Sequence, residues 1–330
     1  MLGSFPSTRH RRLRQAPWVR NLVAETHLSI NDLILPIFIR EDSLQADPIP
    51  YAPFYRYTLA ELPSIVEKII ACGIPAIMLF PALEADKKDD SASEARNPNT
   101  LVAKALRLIR SKDLPIGIFV DIALDPYTAH GHDGVIINEK VNNDVTVERL
   151  VQLALVLAEA GADALCPSDM MDGRVGAIRN ALDAHGFDDR LIISYTAKYA
   201  SSFYGPFRVA VGAKALIGLS DKKTYQMDFR NIREALHEAA FDVNEGADML
   251  IVKPGLPYLD VIAELTKQTY TPVLAYHVSG EYIMVKTAAE AGYMDEKNAF
   301  MESCMAFKRA GARGIITYAA LEIAEWLKES

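Results

Sequence analysis

Eight short apolar runs recur along this chain, and each is followed by a stretch with helical spacing. They are Leu33–Ile39, Ala76–Phe80, Ile116–Asp121, Ala164–Pro167, Leu191–Thr196, Met249–Lys253, Val273–Val278 and Gly314–Tyr318. Most are continuously apolar and do not alternate, so they predict strands buried on both faces, as in a parallel sheet. Between them, Val147, Leu150, Val151, Ala154 and Leu157 share one helical stripe, and Ile232, Leu236, Ala239 and Val243 share another. A recurring phrase joins helix to strand: Cys72-Gly73-Ile74, Ala160-Gly161-Ala162-Asp163, Glu245-Gly246-Ala247-Asp248 and Ala310-Gly311-Ala312-Arg313. In each, glycine supplies the left-handed residue that ends a helix just before the next strand starts.

Eight such units without a long linker favour one (β/α)8 TIM barrel over a doubly wound sheet. No GxGxxG follows the first strand, which removes the usual sign of a dinucleotide fold. We expect residues 31–330 to form the barrel and residues 1–30 to lie outside it as an extended N-terminal arm. Active-site residues in such barrels sit at the C-terminal ends of the strands. The loops at 124–145 and 198–231 leave that face and are lid candidates.

Bulk properties narrow the function classes. The 330 residues carry a formal net charge of -8, which argues against nucleic acid as the main partner. The longest apolar run, Leu33–Ile39, is far shorter than the ~20 residues of a membrane span. Three scattered cysteines, Cys72, Cys166 and Cys304, form neither a disulfide framework nor a zinc ribbon. No apolar signal-peptide core follows the N-terminal charges, so the expected compartment is the cytoplasm. One basic stretch opposes the acidic balance: Arg9, Arg11, Arg12, Arg14 and Arg20. It reads as a solvated or partner-docking arm, a transit peptide or a nucleic-acid patch. The acidic remainder weakens the last reading, and the early first strand weakens the second.

Two lysines close apolar strands at the expected catalytic mouth. Lys253 ends Met249-Leu250-Ile251-Val252-Lys253, and Lys198 follows Ile193-Ser194-Tyr195-Thr196-Ala197. A Schiff base needs a neutral amine, and burial beside a second cation lowers a lysine pKa toward that state. The alternative is that each lysine reaches out to the rim or pairs with a carboxylate. Other polar groups converge on the same rim: Asp121 and Asp125 after the third strand, Ser279 after the seventh and Tyr318 after the eighth. Arg208, Lys222 and Gln226 lie in the loop after the fifth. Cations beside hydroxyls suit the gripping of carboxylates, so the set suggests amine catalysis on a small carbonyl acid.

Several of these words resemble one family. The segment from Ser194 to Arg208, Met249 to Gly255, Pro167 to Arg174, Lys223 to Asp228, Val278 to Tyr282 and Ile316 to Tyr318 is similar to porphobilinogen synthase (5-aminolevulinate dehydratase) along essentially the whole chain. The resemblance implies one TIM barrel whose arm wraps a neighbouring subunit, in a homo-oligomer that is usually an octamer. It implies imines of the first 5-aminolevulinate on Lys253 and of the second on Lys198. Arg208 and Lys222, helped by Gln226, would hold one substrate carboxylate, and Ser279 and Tyr318 the other. Asp121, Asp125 and Asp133 are candidates for moving protons. A class I aldolase-like barrel using a single lysine is the alternative enzyme, and a catalytically dead assembly subunit the alternative of another kind.

Zinc-dependent members place cysteines where this chain has Ala123, Asp125 and Asp133, so the resemblance is to the aspartate-rich branch without active-site zinc. His130 and His132, in a loop without thiolates, read as hydrogen-bonding residues. Such branches carry a stimulatory Mg2+ near a subunit interface, and Glu238 would be its ligand, with Asp169 and Arg174 behind it. The apolar stripe of the Glu238 helix predicts that its carboxylate projects from another face, free to meet a neighbouring subunit. Val209, Phe229 and His277 depart from the family's usual acidic residue, proline and glutamine.

Overall fold

The eight apolar runs become the eight staves of a closed barrel. The computed structural model describes residues 3–41, 56–205 and 221–329. The barrel strands are β1 (Leu33–Arg40), β2 (Ala76–Ala82), β3 (Gly117–Ile122), β4 (Ala164–Pro167), β5 (Leu191–Lys198), β6 (Met249–Lys253), β7 (Val273–His277) and β8 (Gly314–Thr317). Each is parallel to its neighbours in chain order, and β1 pairs with β8 through Leu33↔Ile315 to close the ring. Every residue of β1 and β2 is buried, as continuous apolar sequence requires of strands covered on both faces.

Helices fill the crossovers: α1 (Leu62–Ala71), α2 (Leu101–Arg110), α3 (Asn143–Glu159), α4 (Arg174–Ala184), α5 (Arg233–Asn244) and α6 (Leu259–Gln268). Two helices, α7 (Ser279–Glu290) and α8 (Glu296–Arg309), follow β7, and α9 (Ala320–Lys328) ends the fold. The glycine phrase works as its sequence demands. Gly161, Gly246 and Gly311 take φ of +105°, +105° and +106°, a region open to glycine at little cost.

Strand ends differ slightly from the apolar runs. β1 and β5 extend to Arg40 and Lys198, because backbone pairing continues past the last apolar residue, with Arg40↔Ala82 and Lys198↔Lys253. Apolarity marks the buried stretch, whereas the ladder marks the strand. A short strand, Arg56–Thr58, pairs parallel with the C-terminal end of β1, and the loop after β3 carries a small hairpin, Ile136–Ile137 with Lys140–Val141. Before the barrel lie a 3-10 turn at His10–Arg14, with no buried residue, and a helix at Pro17–Leu22, where only Val19 is buried. Among the described residues, no helix is long and apolar enough to cross a membrane.

Candidate active site

Adjacent parallel strands bring the two lysines side by side. Lys198 ends β5, Lys253 ends β6, and the two are register partners across the ladder. Neighbouring strands lie ~4.8 Å apart, so both amines open on the same mouth of the barrel. A register irregularity between Ser194 and Ala197 precedes this pairing.

Their surroundings differ. Lys253 is 4 % exposed, and its Nζ lies over the rings of Tyr276, Tyr195 and Tyr204, at 4.4, 5.2 and 5.5 Å from the centroids. Burial, then the positive charge of Lys198, push its pKa down to about 7, while Asp121, Asp125 and Asp133 pull the other way. The first effect wins, so an appreciable fraction of the amine is neutral near pH 7. Lys198 Nζ instead donates to the Ser168 carbonyl and lies 3.4 Å from Asp133 Oδ2. The pairing expected as the alternative to catalysis is thus present at Lys198, and the aromatic lining singles out Lys253.

The loop after β3 supplies the opposing charge. Asp133 is fully buried and shared by two cations: Lys198, and Lys222 at 2.7 Å from Oδ1. Burial alone would raise its pKa, but these two charges hold it down at about 2. Asp125 Oδ2 also meets Lys222, at 3.4 Å. Burial raises the Asp125 pKa against the opposing charge of Lys222. Asp121, near the end of β3, is pushed up to about 7 by burial, against the pull of Lys198 and Lys253. One of its oxygens, Oδ1, is buried without a hydrogen-bond partner among the described residues. Burial and charge thereby push the Asp121 and Asp133 pKa values apart within one site, the arrangement that acid–base chemistry needs.

Asp121, Asp125, Ser168, Lys198, Tyr204, Lys222, Gln226 and Lys253 line one cavity of about 20 Å³. That is room for about one water, so a substrate must displace side chains or loop to enter. Lys222 and Gln226 come from the loop after β5, as the sequence suggests; Arg208 and Val209 lie outside the described residues. Lys222 here grips aspartates. Ser279, fully buried, begins α7. Tyr318 follows β8, its hydroxyl 3.4 Å from that of Tyr276 and its ring stacked on Phe38. Both follow strands on the Lys253 side of the ring, since β7 pairs with β6 and β8 with β7, and Tyr276 links Tyr318 to Lys253.

His130 and His132 sit beside each other, and His132 Nδ1 lies 3.0 Å from the Tyr225 hydroxyl, a hydrogen-bonding role. Phe229 is 64 % exposed, and His277 is fully buried with Nδ1 3.1 Å from Thr317 Oγ1.

Glu238 projects from a face other than the Leu236–Val243 stripe, with Arg174 and then Asp169 behind it, but that face is not free as expected. Its carboxylate turns inward, and Oε1 accepts from Arg174 Nη1 at 2.8 Å. On α5 it shares a face with the buried Ala235 and Asp242, three before and four after, while Leu236 and Val243 are only partly buried. The apolar stripe misled because the inward face of α5 is partly polar, drawn to the fully buried Arg174 guanidinium, which also meets Asp242 at 3.5 Å and Asp169 at 3.8 Å.

Sequence reasoning missed four contributors: Ser168, Tyr195, Tyr204 and Tyr276. Tyr195 and Tyr276 follow the aliphatic or small stretches Leu191–Ser194 and Val273–Ala275, and large aromatics near the C-terminal ends of barrel strands are the signal that was available. Ser168 directly follows β4 and offers a backbone carbonyl, which no side-chain pattern announces.

Fold and site together define a (β/α)8 enzyme built around a pair of buried amines with carboxyl groups of divided protonation. Residues 7–326 match the model of the delta-aminolevulinic acid dehydratase family. The chain is 49% identical to the delta-aminolevulinic acid dehydratase of Bradyrhizobium diazoefficiens, over 97% of this chain and 91% of that one. It is 46% identical to that of Streptomyces coelicolor, over 99% of both. The crystal structure of the Toxoplasma gondii enzyme, in complex with the reaction product porphobilinogen, superposes with a TM-score of 0.95 at 47% identity, covering 98% of this chain and 92% of that one. The chain belongs to the delta-aminolevulinic acid dehydratase family.

Proposed function

We infer that this chain is a porphobilinogen synthase. It condenses two molecules of 5-aminolevulinate into porphobilinogen, forming one C–C and one C–N bond and losing two waters, an early step of tetrapyrrole (heme) biosynthesis. The observation that carries the residue assignment is the register pairing of Lys198 with Lys253 at the barrel mouth.

In this reading Lys253, the amine held near neutrality, attacks the ketone carbon of one substrate and releases water as the imine forms. Lys198 forms the second imine, with Asp133 and Ser168 holding its Nζ in place. One imine loses a proton from its adjacent carbon and attacks the imine carbon of the other substrate, whose lysine is then expelled as that carbon becomes part of a double bond. The amino group of that other substrate displaces the remaining lysine as the C–N bond forms, so both amines are released. Asp121, whose pKa lies near the working pH, suits the taking and returning of that proton. Asp125 and Asp133 support it by fixing Lys222. Lys222, Gln226 and Arg208 hold one substrate carboxylate, and Ser279 and Tyr318 the other. Lys222 must then exchange part of its aspartate contact for substrate, which ties substrate entry to the charge state of the aspartates.

The donor set does not fit an active-site zinc. Ala123 offers only a methyl group, and Asp125 and Asp133 already face the Lys222 ammonium; thiolate-poor sites of this kind do not favour zinc. Ala123, Asp125 and Asp133 support reading the chain as a member of the aspartate-rich, zinc-independent branch. Glu238 fits a hydrated Mg2+ better. Its side chain is 23% exposed and needs to give only one oxygen, since magnesium keeps most of its waters. We assign Mg2+ there a stimulatory, allosteric role acting through a homo-octamer whose contacts include the N-terminal arm, in the cytoplasm.

The assay is direct. Parent enzyme given 5-aminolevulinate should yield a pyrrole, and Lys253→Ala should reduce turnover by at least 10^3-fold, on the order expected when a covalent catalyst is removed. Pyrrole formation by Lys253→Ala at the parent rate would refute the assignment.

A further inference from the structure

The segment after Lys253 and the residue before Ser279 are joined by one buried carboxylate. Glu281 lies in the first turn of α7 and is 2 % exposed. Its Oε2 accepts from the Val278 N–H at 2.6 Å, immediately before Ser279. Such a bond at a helix start is an ordinary cap. Its other oxygen does something a cap does not: Oε1 crosses to the loop after β6 and accepts from the Leu256 N–H, also at 2.6 Å. Leu256 is three residues beyond Lys253.

The same segment is pinned from its other sides. The Lys253 carbonyl accepts from the Tyr204 hydroxyl at 2.9 Å and from the Tyr199 N–H at 3.0 Å. A Cβ at Gly255 would stand 2.4 Å from Phe307 Cε1, and one at Gly280 would stand 2.4 Å from the Phe203 carbonyl. The backbone around both loops is therefore packed too closely to adjust by itself, and the carboxylate fixes the remaining relation between them.

We propose that Glu281 is a positioning residue that sets the distance and orientation between the Lys253 amine and the Ser279 hydroxyl, so that one substrate molecule is held at its ketone and its carboxylate at once. The inference rests on the assignment of Lys253 and Ser279 to the same substrate. A carboxylate suits the task because one oxygen meets the Val278 N–H and the other the Leu256 N–H, and these bonds favour the ionised form against the burial that raises the Glu281 pKa to about 7. An amide of the same shape can serve only one of those donors and turns its own N–H toward the other. Glu281 contacts nothing that holds Lys198 in the bonds described above, so its influence falls on one lysine.

The test is borohydride trapping with 5-aminolevulinate, mapped to each lysine, in parent enzyme, Glu281→Gln and Glu281→Asp. Glu281→Gln should lower kcat/KM about 10- to 100-fold, raise KM, and slow labelling at Lys253 while labelling at Lys198 keeps the parent rate. Glu281→Asp retains the charge but is one methylene short of spanning both loops, and should recover part of the Lys253 labelling. Parent-like kinetics and labelling in Glu281→Gln would overturn the proposal. So would equal slowing at both lysines, or failure of both variants to fold, since Glu281 would then be holding the barrel as a whole. No labelling of Lys253 in parent enzyme would sink the imine assignment itself, and the inference with it; the parent lane thus separates the two failures.

Discussion

Lys253 and Asp121 illustrate how burial prepares groups for chemistry. Burial disfavours the charged form of each, so the amine moves down and the carboxyl up until both titrate near neutrality. The sign for catalysis follows: below pH ~7 Lys253 is protonated and cannot attack a ketone. Imine trapping at Lys253 should therefore rise with pH through about 7. A flat trapping rate from pH 5.5 to 8.5 would show that its neutral fraction is not limiting. His277 makes a stability prediction. Burial holds its pKa down at about 4, against ~6.5 in an unfolded chain. Between those values the unfolded chain takes up a proton that the native protein refuses, so stability falls as pH drops. The loss should reach about 2 kcal/mol by pH 5. His277→Gln removes that proton uptake, so its Tm should fall less than the parent's between pH 7 and pH 5. Parallel Tm curves would exclude this role.

At the scale of elements, the staves and the glycine phrases were legible because both follow local rules. Continuous apolar runs need cover on both faces, and a glycine before β2, β4, β6 and β8 ends a helix. Gly311 tests the second rule: φ is +106°, and an added Cβ would stand 2.6 Å from Thr266 Oγ1. Gly311→Ala should cost about 1–3 kcal/mol or more, against less at Gly186, where φ is +76° and nothing lies within 4 Å. Denaturant midpoints for the two variants give the comparison, and equal midpoints would contradict it. What was not legible came from partners distant in sequence. The inward turn of Glu238 depends on Arg174, 64 residues away. The double grip on Asp133 depends on Lys222, 89 residues away. The second bond of Glu281 depends on a neighbouring loop. The lysines themselves could be found because charge at the end of an apolar strand is a conflict visible in a single segment.

For the whole molecule, the proposed magnesium effect is a question of linkage. A ligand that binds the assembled enzyme better than its fragments stabilises the assembly by mass action. Glu238→Ala should therefore lose stimulation by added Mg2+ and sediment as smaller species, while Lys253 still forms an imine. Full stimulation of the mutant would reduce Glu238 to a partner of Arg174. Zinc should be dispensable, so activity should survive a zinc-selective chelator. Loss that only stoichiometric zinc restores would reopen His130 and His132 as ligands.

The central claim is that this barrel works with two amines on two substrate molecules. The most direct measurement is borohydride reduction under saturating 5-aminolevulinate, followed by peptide mapping of the parent enzyme. Reduced adducts are expected on Lys253 at low substrate and on both Lys253 and Lys198 at saturation. A single labelled lysine at saturation would contradict the account and favour an aldolase-like site.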